Sequence, residues 1–168
     1  ALLAGDGLQT EAFRLIAEKY YEEPHVLTEL TLLLAECAGM QGMVGGQALD
    51  VQPEAGITLE QLVELHEMKT GALIRAACEG AAIISRVSRE ERMKIQSFGL
   101  KLGLAFQVAD DLLDEEQDEN VSFLKILGKE KTAAYLQQVS NEARSLIKGL
   151  KVEKELDAFV QFNLDRKQ

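Results

Sequence analysis

The sequence predicts an all-α protein, and three observations support this prediction. Apolar residues recur at the three- and four-residue spacing of helices along the whole chain. Runs that alternate between apolar and polar positions and are rich in β-branched and aromatic residues, as strands are, are missing. Ala, Leu, Glu, Gln and Lys abound, whereas only two prolines occur. Because no repeat or domain boundary is evident, we expect residues 1–168 to form part of one helical domain.

Two amphipathic helices are predicted at the start of the chain. Pro24 suits the first turn of the second helix, where its missing N–H costs nothing. The glycines of 42–46 and the segment 50–56, with Pro53 and Gly56, predict breaks in helical regularity. The two apolar stripes consist of Leu8, Ala12, Leu15 and Ile16, and of Leu27, Leu30, Leu34, Cys37 and Ala38.

Two capping boxes predict where the next helices begin. Thr58 with Gln61 precedes a helix that extends to about Ser85, and Ser88 with Glu91 precedes a longer helix that extends into Asp114. The acidic and polar segment 115–120 is typical of a loop. Two further amphipathic stretches, 132–150 and 154–164, predict helices that complete the chain.

Charge and composition exclude several classes of function. The 168 residues include 28 acidic and 18 basic side chains, a net charge of −10, so the cationic footprint of a nonspecific nucleic-acid-binding protein is missing. An anionic substrate would require a metal ion or a few well-placed cations. Cys37 and Cys78 form neither a disulfide framework nor a zinc-type spacing, which favours a cytoplasmic location. We expect no signal peptide or spanning helix, and the lack of an initiating Met suggests that the chain begins within a longer one.

Three carboxylates and an amide share one face near the end of the long predicted helix. Asp114 is four residues after Asp110 and three after Asp111, and Gln107 is three before Asp110. Like charges at this spacing destabilise a helix by a few tenths of a kcal/mol per pair. A hard cation bound by oxygen ligands would offset this repulsion, which points to Mg²⁺ rather than zinc. The alternative is a solvated acidic helix end, and charge arguments alone leave both interpretations open.

A second polar group lies inside the preceding predicted helix. Lys69 and Thr70 are followed by Gly71, which costs about 1 kcal/mol relative to Ala in a helix interior. The glycine would allow a kink or the close approach of a ligand, and a lysine directed into a bundle would supply a point charge for a diphosphate. Alternatively, Lys69 faces solvent and Gly71 only permits packing. His66, one turn earlier, is more simply interpreted as structural.

Gln47 and Asp50 form a third polar pair, three residues apart after Gly45 and Gly46. The two glycines match neither the P-loop nor the dinucleotide fingerprint, and no strand precedes them, so we reject a phosphate-binding loop. Met40 and Met43 are interpreted as core residues.

Four segments together resemble the trans-isoprenyl diphosphate synthases, most closely the bacterial farnesyl diphosphate synthases (geranyltranstransferases). Three are 42–50 (GMVGGQALD), 66–75 (HEMKTGALIR) and 103–114 (GLAFQVADDLLD). The fourth, 4–10 (AGDGLQT), resembles the segment that follows the family's first aspartate-rich motif. The resemblance covers essentially the whole chain, which corresponds to the C-terminal half of the family's single domain. It implies a bundle of antiparallel helices around a central cavity, incomplete in this chain.

The resemblance implies a Mg²⁺-dependent prenyltransferase. Such an enzyme condenses isopentenyl diphosphate head-to-tail with an allylic diphosphate, dimethylallyl or geranyl, to give a short-chain product such as farnesyl diphosphate, and it releases pyrophosphate. The resemblance also implies a homodimer, formed through the first two helices, without stable membrane association. By matching, Asp110, Asp111 and Asp114 are metal ligands, Lys69 binds the allylic diphosphate, Thr70 and Gln107 lie beside the developing cation, and Gln47 and Asp50 line the cavity.

The chain also departs from the family's pattern. The first aspartate-rich motif is not in this sequence, and 115–123 is short and acidic, with Asn120 where the family has a lysine. Lys125, Lys129 and Lys131 cannot be assigned to that lysine's role. We therefore expect no turnover by these 168 residues alone. The alternatives are a non-catalytic prenyl-synthase-like subunit and a helical interaction module.

Overall fold

The computed structural model describes residues 1–51, 56–113 and 122–166. These residues form helices and their connections, with no strand among them, so the all-α prediction is confirmed. Their order is α1 (Leu2–Tyr20), α2 (Pro24–Ala38), α3 (Met43–Val51), α4 (Leu59–His66), a π-turn (Glu67–Gly71), α5 (Ala72–Ile84), α6 (Arg89–Leu113), α7 (Phe123–Leu127), α8 (Lys129–Ile147) and α9 (Glu153–Leu164).

Both predicted capping boxes are present and fix the N-termini of α4 and α6. The backbone N–H of Gln61 donates to Thr58 Oγ1 at 3.3 Å, and the N–H of Thr58 donates to Gln61 Oε1 at 2.8 Å. The N–H of Glu91 donates to Ser88 Oγ at 3.2 Å, and the N–H of Ser88 donates to Glu91 Oε2 at 3.0 Å. Each box satisfies two of the backbone groups that a helix start leaves unpaired.

The predicted break at the glycines is present only in part. Residues 39–42, with Gly42, form the turn between α2 and α3, whereas Gly45 and Gly46 lie within α3 (Met43–Val51), buried against the carbonyl of Met40 and the backbone of Lys69. The packing gained there offsets the low helix propensity of glycine. The assignment of Met40 to the core is wrong, since its side chain is 70% exposed, whereas Met43 is half-buried.

Helix α6 is the central element of the fold. It packs against α5, the π-turn, α8 and α9, and Phe98, Leu104 and Val108 on it are fully buried. Leu104 and Val108 belong to a cluster with Leu62 and Phe123, and Phe98 belongs to a second cluster that joins α5 and α6 to α8 and α9. The first cluster supports the end of α6 that carries the predicted carboxylates.

Helix α1 lies on the surface. None of its residues is buried, and Leu8 and Leu15 of its predicted apolar stripe are exposed. The stripe of α2 fits better, since Leu30, Cys37 and Ala38 are buried. Both cysteines are free thiols, as expected, and burial raises the pKa of each thiol. Of the part of the chain described here, no helix is long and apolar enough to cross a bilayer.

Candidate active site

The predicted site residues come from three elements that meet closely: α3, the π-turn and the second half of α6. A Cβ atom added at Gly46 of α3 would lie 2.4 Å from the backbone N of Lys69. A Cβ atom added at Gly103 of α6 would lie 2.5 Å from Cα of Gly71. Backbone therefore packs directly on backbone on both sides of the π-turn, as only glycine permits.

Lys69 and Asp50 form an ion pair across the α3 side of the site. Lys69 Nζ donates to Asp50 Oδ2 at 2.6 Å, and each side chain is 32% exposed. The lysine is thus not simply a solvated surface residue: its ammonium is held in a half-buried position. Gln47, one turn earlier on α3, is exposed.

Thr70 and Gln107 meet across the α6 side of the site. Thr70 Oγ1 donates to Gln107 Oε1, although the two residues are 37 positions apart. Both side chains are half-buried. Lys69 and Thr70 are consecutive, yet the π-turn directs Lys69 toward α3 and Thr70 toward α6.

Asp110 carries a counterion in the structure. Arg166, just after α9, donates from Nη2 to Asp110 Oδ1 at 2.5 Å, and its guanidinium lies 4.2 Å from the centroid of the Phe106 ring. Arg166 Nη1 also donates to Asn163 Oδ1 at 3.4 Å. A cation therefore already occupies one oxygen of the carboxylate that the sequence predicts as a metal ligand.

Asp111 has a structural contact, and Asp114 cannot be placed. Asp111 Oδ2 accepts the backbone N–H of Phe123 at 2.6 Å, which anchors the start of α7 to the end of α6. Asp114 and the acidic segment 115–120 lie outside the described residues. Among the residues that are described, no three carboxylate, imidazole or thiol side chains converge as a metal site would require.

The donor chemistry at Asp110 nevertheless fits a hard cation. Its half-buried carboxylate is paired with a guanidinium, which offers positive charge as a metal ion does but does not fill a coordination shell. Asp110 could hold Mg²⁺ together with carboxylates from elsewhere. The described residues alone would not complete that shell.

The aromatic residues behind the site are structural. His66 is buried and stacks on Phe123, with ring centroids 5.4 Å apart, and Phe123 contacts Tyr135 at 5.7 Å. Burial raises the pKa of Tyr135, an effect that nearby Glu142 and Glu67 reinforce and Lys101 opposes. This arrangement agrees with the structural interpretation of His66.

Sequence reasoning missed Arg166. The residue is 56 positions from Asp110, beyond any helical spacing, so no local pattern connects the two. The available signal was a pair of basic residues, Arg166 and Lys167, at the end of an amphipathic helix in a strongly acidic chain.

Comparisons with known proteins all lead to one family, the polyprenyl synthetases. Residues 1–145 match the family model described as polyprenyl synthetase. Farnesyl diphosphate synthase of Bacillus subtilis is 34% identical over 93% of this chain and 58% of its own length. The farnesyl diphosphate synthase of Escherichia coli is 34% identical over 94% of this chain and 58% of its own length.

Solved structures give the same result. A geranyltransferase from Helicobacter pylori superposes with a TM-score of 0.86 at 35% identity, over 97% of this chain and 59% of its own. The same type of protein has been crystallised with magnesium and isoprenyl diphosphate. An FPP/GFPP synthase from Zymomonas mobilis superposes with a TM-score of 0.88 at 35% identity, over 96% of this chain and 59% of its own. The chain thus spans somewhat under two thirds of the length of these relatives.

Proposed function

Because this chain belongs to the polyprenyl synthetase family, we propose that it is part of a Mg²⁺-dependent prenyltransferase that makes a short-chain prenyl diphosphate. The substrates would be isopentenyl diphosphate and an allylic diphosphate, dimethylallyl or geranyl, and the products farnesyl diphosphate or a similar prenyl diphosphate, and pyrophosphate. Family membership confirms the resemblance found in the sequence. The single observation that carries the proposal is the convergence of Lys69, Thr70, Gln107 and Asp110 on one region.

Asp110 would hold the Mg²⁺ that binds the diphosphate of the allylic substrate. Bound Mg²⁺ would neutralise the charge that builds on the departing pyrophosphate, which is a large source of stabilisation in phosphate chemistry. Asp110 supplies a half-buried anionic oxygen for this purpose. Asp111 and Asp114 remain proposed ligands, and Asp111 already uses one oxygen to anchor Phe123.

Lys69 would bind the diphosphate directly. Its ammonium is held by Asp50 at 2.6 Å, so its position is set before the substrate arrives and less side-chain entropy is lost on binding. Asp50 is therefore proposed as an orienting group as well as a residue of the cavity wall. Gln47, exposed on the same helix, is available to a substrate that enters along α3.

Thr70 and Gln107 would stabilise the allylic cation. Their oxygens carry partial negative charge, which favours a nearby positive charge, whereas a carboxylate at the same place would capture the cation covalently. The hydrogen bond between them fixes both side chains. Buried apolar residues of α6, such as Leu104 and Val108, would help exclude water that would otherwise quench the cation.

The chain alone is proposed to be inactive, because half of the metal clamp expected in the family is not in its sequence. In the complete protein that contains this chain, α1 and α2 would form a homodimer contact. We also propose a cytoplasmic location, without stable membrane association.

One observation favours a second candidate, a non-catalytic prenyl-synthase-like subunit. Asp111 anchors α7 through the N–H of Phe123, so this residue has a structural use that does not depend on metal. A complete protein with an intact fold and no detectable condensation of isopentenyl and geranyl diphosphates in the presence of Mg²⁺ would support this candidate.

Replacing Asp110 tests the enzymatic proposal. In the complete protein, Asp110→Asn should lower kcat by about 100-fold or more, because it removes an anionic ligand from the centre that stabilises the leaving group. The control is Asp157→Asn, since Asp157 on α9 also pairs with an arginine, Arg144 on α8, at 2.6 Å, but belongs to none of the elements that carry the proposed site. Both variants should keep the wild-type circular dichroism spectrum. Unchanged turnover in Asp110→Asn would contradict the proposal.

A further inference from the structure

The π-turn gives Lys69 and Thr70 their different partners. The backbone N–H of Ala72, the first residue after the turn, donates to the carbonyl of Glu67, five residues earlier. The turn therefore contains one residue more than an α-helical turn would. The wider turn changes the angle between successive side chains. Lys69 contacts Asp50 on α3, and Thr70 contacts Gln107 on α6.

A π-turn is less favourable than continued α-helix, so the surrounding structure must hold it. Here the support comes from backbone on both sides. We call the contacts of Gly46 with Lys69 and of Gly103 with Gly71 the glycine seam. Added Cβ atoms would lie 2.4 and 2.5 Å from those backbone atoms, and backbone cannot rotate away as a long side chain can.

We propose that Gly46 and Gly103 are positioning residues, which hold the π-turn so that Lys69 and Thr70 act on the same substrate. The proposal rests on the proposed function for its catalytic consequence. Its structural part, that the glycine seam holds the π-turn, stands on the contacts alone.

The helix α6 supplies a matched control for Gly103. Gly99 lies one turn earlier on the same helix, and its added Cβ atom would lie 2.7 Å from Cα of Arg75. Both Gly99→Ala and Gly103→Ala therefore force a methyl group against backbone. They differ in what is displaced: Gly99 contacts the regular helix α5, whereas Gly103 contacts the π-turn.

The size of the expected displacement follows from the contact distance. An ordinary contact of a Cβ atom is 3.4 Å or longer, so a methyl group at Gly103 must separate α6 from Gly71 by about 1 Å. Misplacing a catalytic group by about 1 Å can lower the rate about 100-fold. A shift of this size at Thr70 would also strain its hydrogen bond to Gln107.

Steady-state kinetics of the complete protein test the catalytic part. We expect Gly103→Ala to lower kcat about 100-fold at unchanged KM for isopentenyl diphosphate, and Gly99→Ala to change kcat by less than about fivefold. Gly46→Ala should mainly raise KM for the allylic diphosphate, because Gly46 contacts Lys69. Equal losses of kcat in Gly99→Ala and Gly103→Ala would overturn the proposal.

Hydrogen exchange tests the structural part without using activity. Exchange of the backbone amides of 67–72 should become about tenfold faster in Gly103→Ala and stay at the wild-type rate in Gly99→Ala. Unaltered exchange in Gly103→Ala would overturn the proposal, even if the wild-type protein proves active. A wild-type protein without prenyl transfer but with this exchange pattern would reject the proposed function alone.

If Gly103→Ala does not fold, Leu100→Ala provides the second test. Leu100 Cδ2 lies 3.5 Å from the Cβ position of Gly71, so this variant loosens the packing of α6 on Gly71, beside the glycine seam, by removing a side chain, with no clash. Faster exchange of 67–72 is again expected, and wild-type exchange would contradict the proposal that packing of α6 on Gly71 holds the π-turn.

Discussion

Arg166 and Asp110 show how a single residue can neutralise a carboxylate that is proposed to bind metal. The ion pair is 2.5 Å long, and the two side chains are 23% and 27% exposed. The guanidinium of Arg166 also lies over the Phe106 ring, and this cation–π interaction stabilises the position in which Arg166 pairs with Asp110. The arginine therefore occupies an oxygen that Mg²⁺ would also use.

Removing this competitor should strengthen metal binding. In the complete protein, Arg166→Gln is expected to lower the dissociation constant for Mg²⁺ about threefold, since a partly exposed ion pair contributes up to about 1 kcal/mol. Isothermal titration calorimetry without diphosphate measures this change. Arg144→Gln, which breaks the Arg144–Asp157 pair instead, should leave the affinity as it is. Weaker Mg²⁺ binding in Arg166→Gln would show that the arginine does not compete with the metal.

A buried carboxylate joins three helices. Glu79 on α5 is 5% exposed; it accepts from Arg75 Nε at 2.9 Å and from Arg92 Nε, on α6, at 3.0 Å. The two arginines also pair with Glu36 and Glu29 of α2. Burial acts to lower the pKa of Arg75, but its hydrogen bonds to Glu79 and Glu36 outweigh burial, so the pKa is raised. The network fixes α2 and α6 against α5.

Neutralising Glu79 should therefore cost much of the stability of the fold. We expect Glu79→Gln to reduce the free energy of unfolding by about 3 kcal/mol, because two guanidinium groups lose a buried partner. Glu142→Gln is the control: Glu142 pairs with Lys101 at 3.0 Å but is 40% exposed, so the loss should stay below about 1 kcal/mol. Denaturant unfolding of the complete protein measures both. Equal losses would show that the network contributes no more than a surface pair.

Which elements could be predicted depended on the range of the interactions that form them. Ser88 and Glu91 are three residues apart, so their capping box is visible in the sequence and α6 was placed correctly. Helix α3 and the π-turn were not predicted, because they depend on Gly46 meeting Lys69 across 23 positions of chain. Residue spacing singled out the candidate site residues and family resemblance supplied their roles, whereas the hydrogen bond between Thr70 and Gln107 required the structure.

The exposed apolar face of α1 bears on how the complete protein would associate. Leu8 and Leu15 are seven residues apart, hence on one face of α1, and they are 72% and 44% exposed. The exposure of this face agrees with the proposal that a second subunit covers α1 in the complete protein.

Charges on this face should disrupt the proposed homodimer. In the complete protein, Leu8→Glu combined with Leu15→Glu is expected to raise the dimer dissociation constant at least about tenfold, since each leucine buried at a contact contributes about 1.5–3 kcal/mol. Sedimentation velocity measures the association. Ile84→Glu, at the end of α5 and 45% exposed, controls for the added charge. A double variant that dimerises like the wild type would place the subunit contact elsewhere.

The extra residue in the π-turn constrains how this chain can vary in length. Loss of one residue from 67–71 would restore α-helical hydrogen bonding and rotate all of α5 by about 100° relative to α4. Such a deletion would carry Glu79 away from Arg92 on α6 and Arg75 away from Glu36 on α2, and it would turn the buried face of α5 toward water. For folding, substitutions within this turn are therefore better tolerated than insertions and deletions, and the packing of α5 fixes the spacing between Lys69 and Glu79.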